Sequence, residues 1–531
     1  MPQPIQQHFR SWVPRWLMGV VAIIVMIPMM LINGAYTGSS VDVSSYLGVM
    51  AEDINIAFFA SSAGMAMAYP IIPIVKPVAT TKTIILIVLF CQLILSFICA
   101  VTSYTEIIII CSFLIGYFKA FTLIEVVAIL MPILSPSNTR NEFYSIYYPM
   151  VLILSQLSLV LTAEFAYSYQ WQYMYYFMIA LILVSMVAVV VCMQFGRRLI
   201  RIPIKDIDWL SFFQCSVVFM GALYVGIYGK TRDWFNSDDI IIALVLVLVM
   251  GWMFVRRQLM AKGRPFVDMS VLKNRNSMVV YLFAFIMMFM ASYTTLISSY
   301  VNSVLRLDTA RLNELYLYMI PGIIVGGFIC YYWYLKALRM AWLIFIGFLC
   351  FTVAIGLLYF EVAANGRYED LFLPMFLKGL GMLVLFVALA IYAIQGLRDN
   401  QLIYNVFFLI GSRSVLAPVV SYALLTNWIY QLQQKYTLKL SESVDLTNAI
   451  ANSQYLQSYK TNLAGGMSIE DAQKMALNTL YNKVQIQSLT ISIKEILGYM
   501  LIIGLILLVV ILLYFFKYKP VRLIKVGRDM G

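Results

Sequence analysis

The chain has 531 residues, 62% of them hydrophobic and only 12% charged, with a net charge of +12. That is too little polar material to cover a water-soluble globule, so a cytosolic enzyme, a secreted domain and a disordered chain are excluded and lipid is the required solvent. The apolar residues form long unbroken runs, which excludes the alternation of a transmembrane β-barrel.

The apolar runs predict fourteen helical spans in chain order. They are Trp16–Tyr36, Phe58–Val78, Ile84–Val101, Ile107–Ile133, Tyr148–Ala166, Met174–Phe195, Trp209–Tyr228, Ile240–Val255, Met278–Val301, Leu315–Leu335, Ala341–Phe360, Leu371–Ile394, Ile403–Asn427 and Ile491–Phe516. Each is close to the roughly 20 residues needed to cross the hydrocarbon layer, and a backbone in lipid must bond to itself. The first run, behind Arg10 and Arg15, is too long for a signal-peptide core and reads as an uncleaved span.

Lys and Arg set the orientation. With the N-terminus inside, the inner segments hold 23 of them, against five in the short outer loops: Lys230, Arg232, Arg306, Arg311 and Arg367. Both termini are therefore expected in the cytoplasm. The positive charge reads as basic cytoplasmic loops, and no nucleic-acid partner is expected. The long segment 428–488 then lies outside. Within it Ser468 can cap a helix, Asp471 can return the bond, and Ile469, Ala472, Ala476, Leu480 and Val484 form one apolar face. That face packs either on the chain itself or on a partner.

No enzyme or cofactor signature is found. All seven cysteines sit inside apolar runs and the single histidine, His8, is in the N-terminal tail, so neither a disulfide framework nor a His-based metal site is expected. There is no phosphate-binding loop pattern, and substrate movement would draw on a gradient.

The expected architecture is an all-α membrane protein of 6+2+6 helices. Residues 1–200 form a first six-helix half, 201–276 an inserted pair with linkers, and 277–531 a second half. A faint repeat supports two related halves: Phe113-Leu114-Ile115-Gly116 in span four recurs as Phe376-Leu377-Lys378-Gly379 in span twelve.

Asp208-Trp209-Leu210-Ser211-Phe212 with Gly221, Gly229 and Trp234, then Arg264-Pro265-Phe266-Val267-Asp268 with Leu272 and Asn274-Arg275-Asn276, resemble the inserted pair and linker of the fourteen-span drug:proton antiporters of the major facilitator superfamily. Phe376 to Gly381 with Leu385-Phe386-Val387 is similar to that family's span twelve, and Asn405, Gly411, Ser412 and Glu495 fit its last two spans. The first half departs from the pattern: Ser112 replaces an Arg, Pro73 to Pro77 replaces a Gly/Arg-rich loop, and Leu157 to Ala163 lacks a Gly-Pro motif. The resemblance implies the major facilitator fold and a multi-pass exporter in the bacterial inner membrane. It implies proton-gradient coupling, a small amphipathic or toxic substrate, and partnership with a periplasmic membrane-fusion adaptor and an outer-membrane channel. Two alternatives stay open: a transporter of a defined anionic solute or lipid, and a membrane scaffold that kept the fold without transport.

Ionisable side chains at membrane depth are functional candidates because their burial is costly. Lys119 lies mid-span in span four, with Glu125 deeper toward the inside; six residues place them ~120° and ~9 Å apart, too far to pair. Glu125 is the candidate proton-coupling carboxylate. Arg413 in span thirteen could pair with Glu125 across the halves or line a cavity for an anion. Lys378 in span twelve could line the cavity or snorkel to the interface. Asn33, Gln156 and Asn405 are cavity candidates that could equally make helix–helix bonds. Lys119, Glu125 and Arg413 are expected to face the interior between the halves.

Overall fold

In a computed structural model of the chain, residues 8–135, 139–195, 207–261, 265–442, 444 and 448–517 are described. Every predicted span carries helix. Among the described residues, twelve helices are long and apolar enough to cross a membrane. The other two are Arg15–Leu31 in span one, of 17 residues, and Ala51–Ala68 in span two, whose first turn carries Glu52 and Asp53. The chain is a multi-pass membrane protein. The boundary at residue 200 and the basic residues Arg197, Arg198, Arg201, Lys205, Lys262, Arg264, Lys519, Arg522, Lys525 and Arg528 lie outside the described residues.

Buried apolar side chains form two clusters. One gathers spans one to eight with a part of span thirteen; the other gathers spans nine to fourteen with Leu152 of span five. Within each cluster a helix pair comes into especially close backbone contact. A Cβ on Gly64 of span two would lie 1.9 Å from the Phe113 carbonyl oxygen, and one on Gly116 of span four 1.8 Å from that of Ser61. The same contact recurs between spans ten and twelve. A Cβ on Gly322 would lie 2.1 Å from the Phe376 oxygen, and one on Gly379 2.2 Å from that of Met319. Gly64 follows Ser61 by three residues as Gly322 follows Met319, and Phe113 and Gly116 take the places of Phe376 and Gly379. The four-residue repeat therefore marks the same joint twice. In lipid, with no hydrophobic drive between helices, such close approach supplies much of the association.

Spans two, five, ten and thirteen carry contacts between the clusters. Span five packs on span ten, where a Cβ on Gly327 would meet the Pro149 ring at 3.0 Å. Span two packs on span thirteen. Span seven fits against both span two and span thirteen: the Tyr228 hydroxyl donates to Asp53, Phe219 packs on Phe407, and the Trp234 indole donates to Asn427 at 3.2 Å. Span eight rests on span seven and leaves most of its apolar surface uncovered. Between the start of span seven and the end of span eight Arg257 clasps Asp208 through two hydrogen bonds of 3.0 and 2.9 Å. Burial pushes the Asp208 carboxyl up, but hydrogen bonds from Arg257 and Ser211 outweigh it and hold the group below its ordinary 3.8. The clasp thus stabilises the fold at neutral pH, and that contribution is lost only as pH falls through the depressed value.

The outer segment is helical. Span thirteen's helix runs on to Ser441, a separate helix covers Ala449–Ala464, and the last helix, Ile469–Lys517, is 49 residues long. Ser468 caps it as expected, accepting from the Asp471 amide at 3.2 Å while its hydroxyl donates to the Asp471 carboxylate. Ala472, Ala476 and Val484 are buried and Leu480 is half-buried, whereas Ile469 is exposed. The stripe is covered by the chain's own outer helices.

The glycine joints give a direct test. Gly64→Ala and Gly322→Ala should each destabilise the purified protein by at least about 1–3 kcal/mol, the usual cost of overpacking. A clear fall in the thermal unfolding midpoint would register this. Gly251→Ala, whose Cβ would meet only a Val218 methyl at 3.7 Å, should leave the midpoint unchanged.

Candidate functional site

Span one is broken. Its helix ends at Leu31, Ile32 is extended, Gly34 has φ +78°, and helix resumes at Thr37. Gly34 is required: besides its left-handed backbone, a Cβ there would lie 2.4 Å from the Ser112 hydroxyl oxygen. A break inside a membrane leaves carbonyls unpaired, and each must find a donor. Ser158 donates to the Leu31 carbonyl at 2.9 Å, Lys119 to that of Ile32 at 3.1 Å, and Tyr175 to that of Gly34 at 2.6 Å. Asn313, from the second half, donates to the Gly38 carbonyl at 2.8 Å.

Lys119 is thus the cation at a helix C-terminus, where the helix dipole favours it. It also reaches Asn33 Oδ1 at 3.1 Å, and Ser61 donates to the same oxygen at 3.4 Å. Lys119 is buried, and its bonds and those of Asn33 go to spans one, two and four. Lys378 does not snorkel. It is buried, with Nζ 3.2 Å from Thr294 Oγ1 and 5.4 Å from the Tyr293 ring centroid. Span twelve's tight packing on span ten leaves it no path to an interface.

Glu125 is not paired with Arg413. It lies in the first half at the inner end of span four, 3.5 Å from Lys76 and accepting from the Thr81 hydroxyl at 2.7 Å. Lys76 and Thr81, on either side of the turn between spans two and three, occupy it instead. Among the described residues Glu125 is the one buried carboxylate. Asn405 accepts from Tyr281 at 2.6 Å and makes a helix–helix bond. Gln156 is buried, and its Oε1 has no hydrogen-bond partner among the described residues.

Arg413 does lie where the two halves meet. It sits in a π-turn, Gly411–Leu416, that interrupts span thirteen, and the Ser412 hydroxyl ties this turn to the Tyr281 carbonyl at 3.0 Å. The guanidinium carbon is 4.1 Å from the Phe386 ring centroid of span twelve, and Tyr148 of span five lies beside it. Tyr69 of span two is also near. Tyr148 packs on Phe386 with centroids 6.1 Å apart and on Tyr144 at 5.4 Å. This aromatic wall is absent from the sequence-derived site; a Tyr cluster at 144, 147 and 148 was its only trace. Cavities of about 450 and 430 Å³ lie elsewhere, beside the outer ends of spans seven and eight. No cluster of three His, Cys, Asp or Glu that could hold a metal occurs among the described residues.

Solved structures with similar folds include peptide transporters. A mutant of the peptide transporter POT superposes with a TM-score of 0.57 at 13% identity, covering 96% of this chain and 98% of that one. A POT family transporter in complex with 5-aminolevulinic acid matches with a TM-score of 0.52 at 16% identity, covering 81% and 94%. The fold is that of these peptide transporters. The chain is also distantly homologous to the colistin resistance protein EmrB of Acinetobacter baumannii: 22% identical over 307 residues, 56% of this chain and 57% of that protein. The chain thus spans little more than half the length of that relative. No protein-family profile matches the chain.

Lys119→Met should leave the Ile32 carbonyl and the Asn33 side chain short of a donor. The expected cost is about 1–3 kcal/mol, read as a lower thermal midpoint. Lys119→Arg should recover part of it.

Proposed function

We propose that the chain is a fourteen-span secondary transporter of the bacterial inner membrane, arranged 6+2+6 with both termini cytoplasmic. It exports amphipathic or toxic compounds by rocking two six-helix halves, 1–200 and 277–531, about a midplane site. One observation carries this reading: the same backbone joint is built once in each half, while spans two, five, ten and thirteen meet across the seam. Internally repeated halves closing on a central site are the architecture of alternating access. The distant likeness to a colistin resistance protein favours export over uptake.

Proton coupling rests on Glu125. A carboxylate held by Lys76 and Thr81 at the inner end of the first half would, on protonation, release its lysine and loosen the turn between spans two and three. The outer helices are the surface on which a membrane-fusion adaptor would dock. Because the apolar stripe is already covered, such a partner would use their outward faces.

In proteoliposomes an imposed pH gradient should drive accumulation of an amphipathic dye, and Glu125→Gln should reduce that accumulation at least about tenfold. Transport by the wild type that ignores the pH gradient would end the proton assignment. A single cysteine at Ser453, in the outer helix, should react with a membrane-impermeant maleimide from the periplasmic side. Labelling from the cytoplasmic side alone would overturn the topology.

A further inference from the structure

We infer that Arg413 and the aromatic wall around it bind the anionic group of an amphipathic organic anion, a carboxylate, sulfonate or phosphate ester on an apolar body. This names the substrate class of the transport reading and rests on it.

The inference starts from charge balance. Three cations lie at membrane depth, Lys119, Lys378 and Arg413, and among the described residues none forms an ion pair. Glu125, the buried carboxylate, is taken by Lys76. An isolated charge in a low-dielectric interior is costly unless something compensates it. The two lysines have compensation of their own: Lys119 two oxygens at a helix end, Lys378 a hydroxyl and a ring face. Arg413 likewise has the Tyr148 hydroxyl and the Phe386 ring face, but its Nε, closed off from solvent, is left with no hydrogen-bond partner among the described residues.

The geometry favours an anion over other ligands. A guanidinium offers a planar fork of donors that fits the two oxygens of a carboxylate or sulfonate. The Tyr148 hydroxyl beside it can add a further donor. Phe386, Tyr148 and Tyr144 form a continuous aromatic surface that would take an apolar body. A cationic ligand would meet like charge with no carboxylate to offset it. The site also draws on both halves, Tyr69 and Tyr148 from the first and Phe386 and Arg413 from the second, so rocking would open it. The π-turn carrying Arg413 is the kind of helix irregularity that recurs at functional sites.

The test uses the full chain purified in detergent and two probes with the same aromatic body, naphthalene-1-sulfonate and 1-naphthylmethylammonium. The sulfonate should raise the thermal unfolding midpoint with concentration, and the ammonium should not. Arg413→Met should weaken the apparent affinity for the sulfonate about tenfold or more. Stabilisation by the ammonium equal to that by the sulfonate, or an unchanged sulfonate affinity in Arg413→Met, would overturn the site. Should Arg413→Met fail to fold, the wild-type comparison of the two probes still decides, and Tyr148→Phe should weaken the sulfonate several-fold. Proteoliposomes separate this inference from the transport reading. Sulfonate binding that needs Arg413 without any translocation sinks transport and leaves the site. Translocation of the ammonium alone sinks the site and leaves transport.

Discussion

The backbone contact between the second and fourth helices of each half is the constraint on which the fold depends. Two helices approach until a glycine on one rests against a carbonyl of the other, twice per pair and in the same register in both halves. No side chain can intervene, so these pairs cannot slide. In lipid, where burying another leucine stabilises little, this packing locks each of the two helix pairs together. Motion is then confined to surfaces where side chains meet, such as span five on span ten and span two on span thirteen.

A second theme is how the interior handles charge. The cations of the first half mostly serve helix ends. Lys119 closes the break in span one, and at the inner end of span six Lys82 donates to the Val190 and Met193 carbonyls while Arg10 also reaches Val190. These charges are explained by backbone groups that would otherwise go unpaired. Arg413 serves no helix end, which is why it stands out against lysines that look just as expensive in the sequence.

Local rules carried much of this into the sequence. Hydropathy located the helices, because a helix in lipid must be apolar along its length. The Phe-Leu-x-Gly repeat marked the joint, and Ser468 with Asp471 marked the last helix start. Features set by distant contacts were illegible. The apolar run of span one continues past Leu31, so its break shows only through Gly34, whose partner Ser112 is 78 residues away. Glu125 and Arg413 looked like partners because both lie in apolar spans and are opposite in charge, but the turn at Lys76 folds back to bring Lys76 and Thr81 onto Glu125, which no local pattern shows. The π-turn at Gly411 has no periodicity signal, and the aromatic wall is assembled from three different spans.

The last helix has a mechanical meaning. Its 49 residues run without interruption from the outer segment through span fourteen, about 74 Å at the usual rise per residue. Around the start of span fourteen it is zipped to the extension of span thirteen: Thr437 meets Ser488 at 2.9 Å, and Tyr436 donates to Glu495 at 2.5 Å. Two adjoining rods joined along their length behave as one lever. Were the proposed rocking to tilt them, the paired rods would magnify that tilt at their far tip, and a force applied there would return as torque on spans thirteen and fourteen, the former being the helix that holds Arg413.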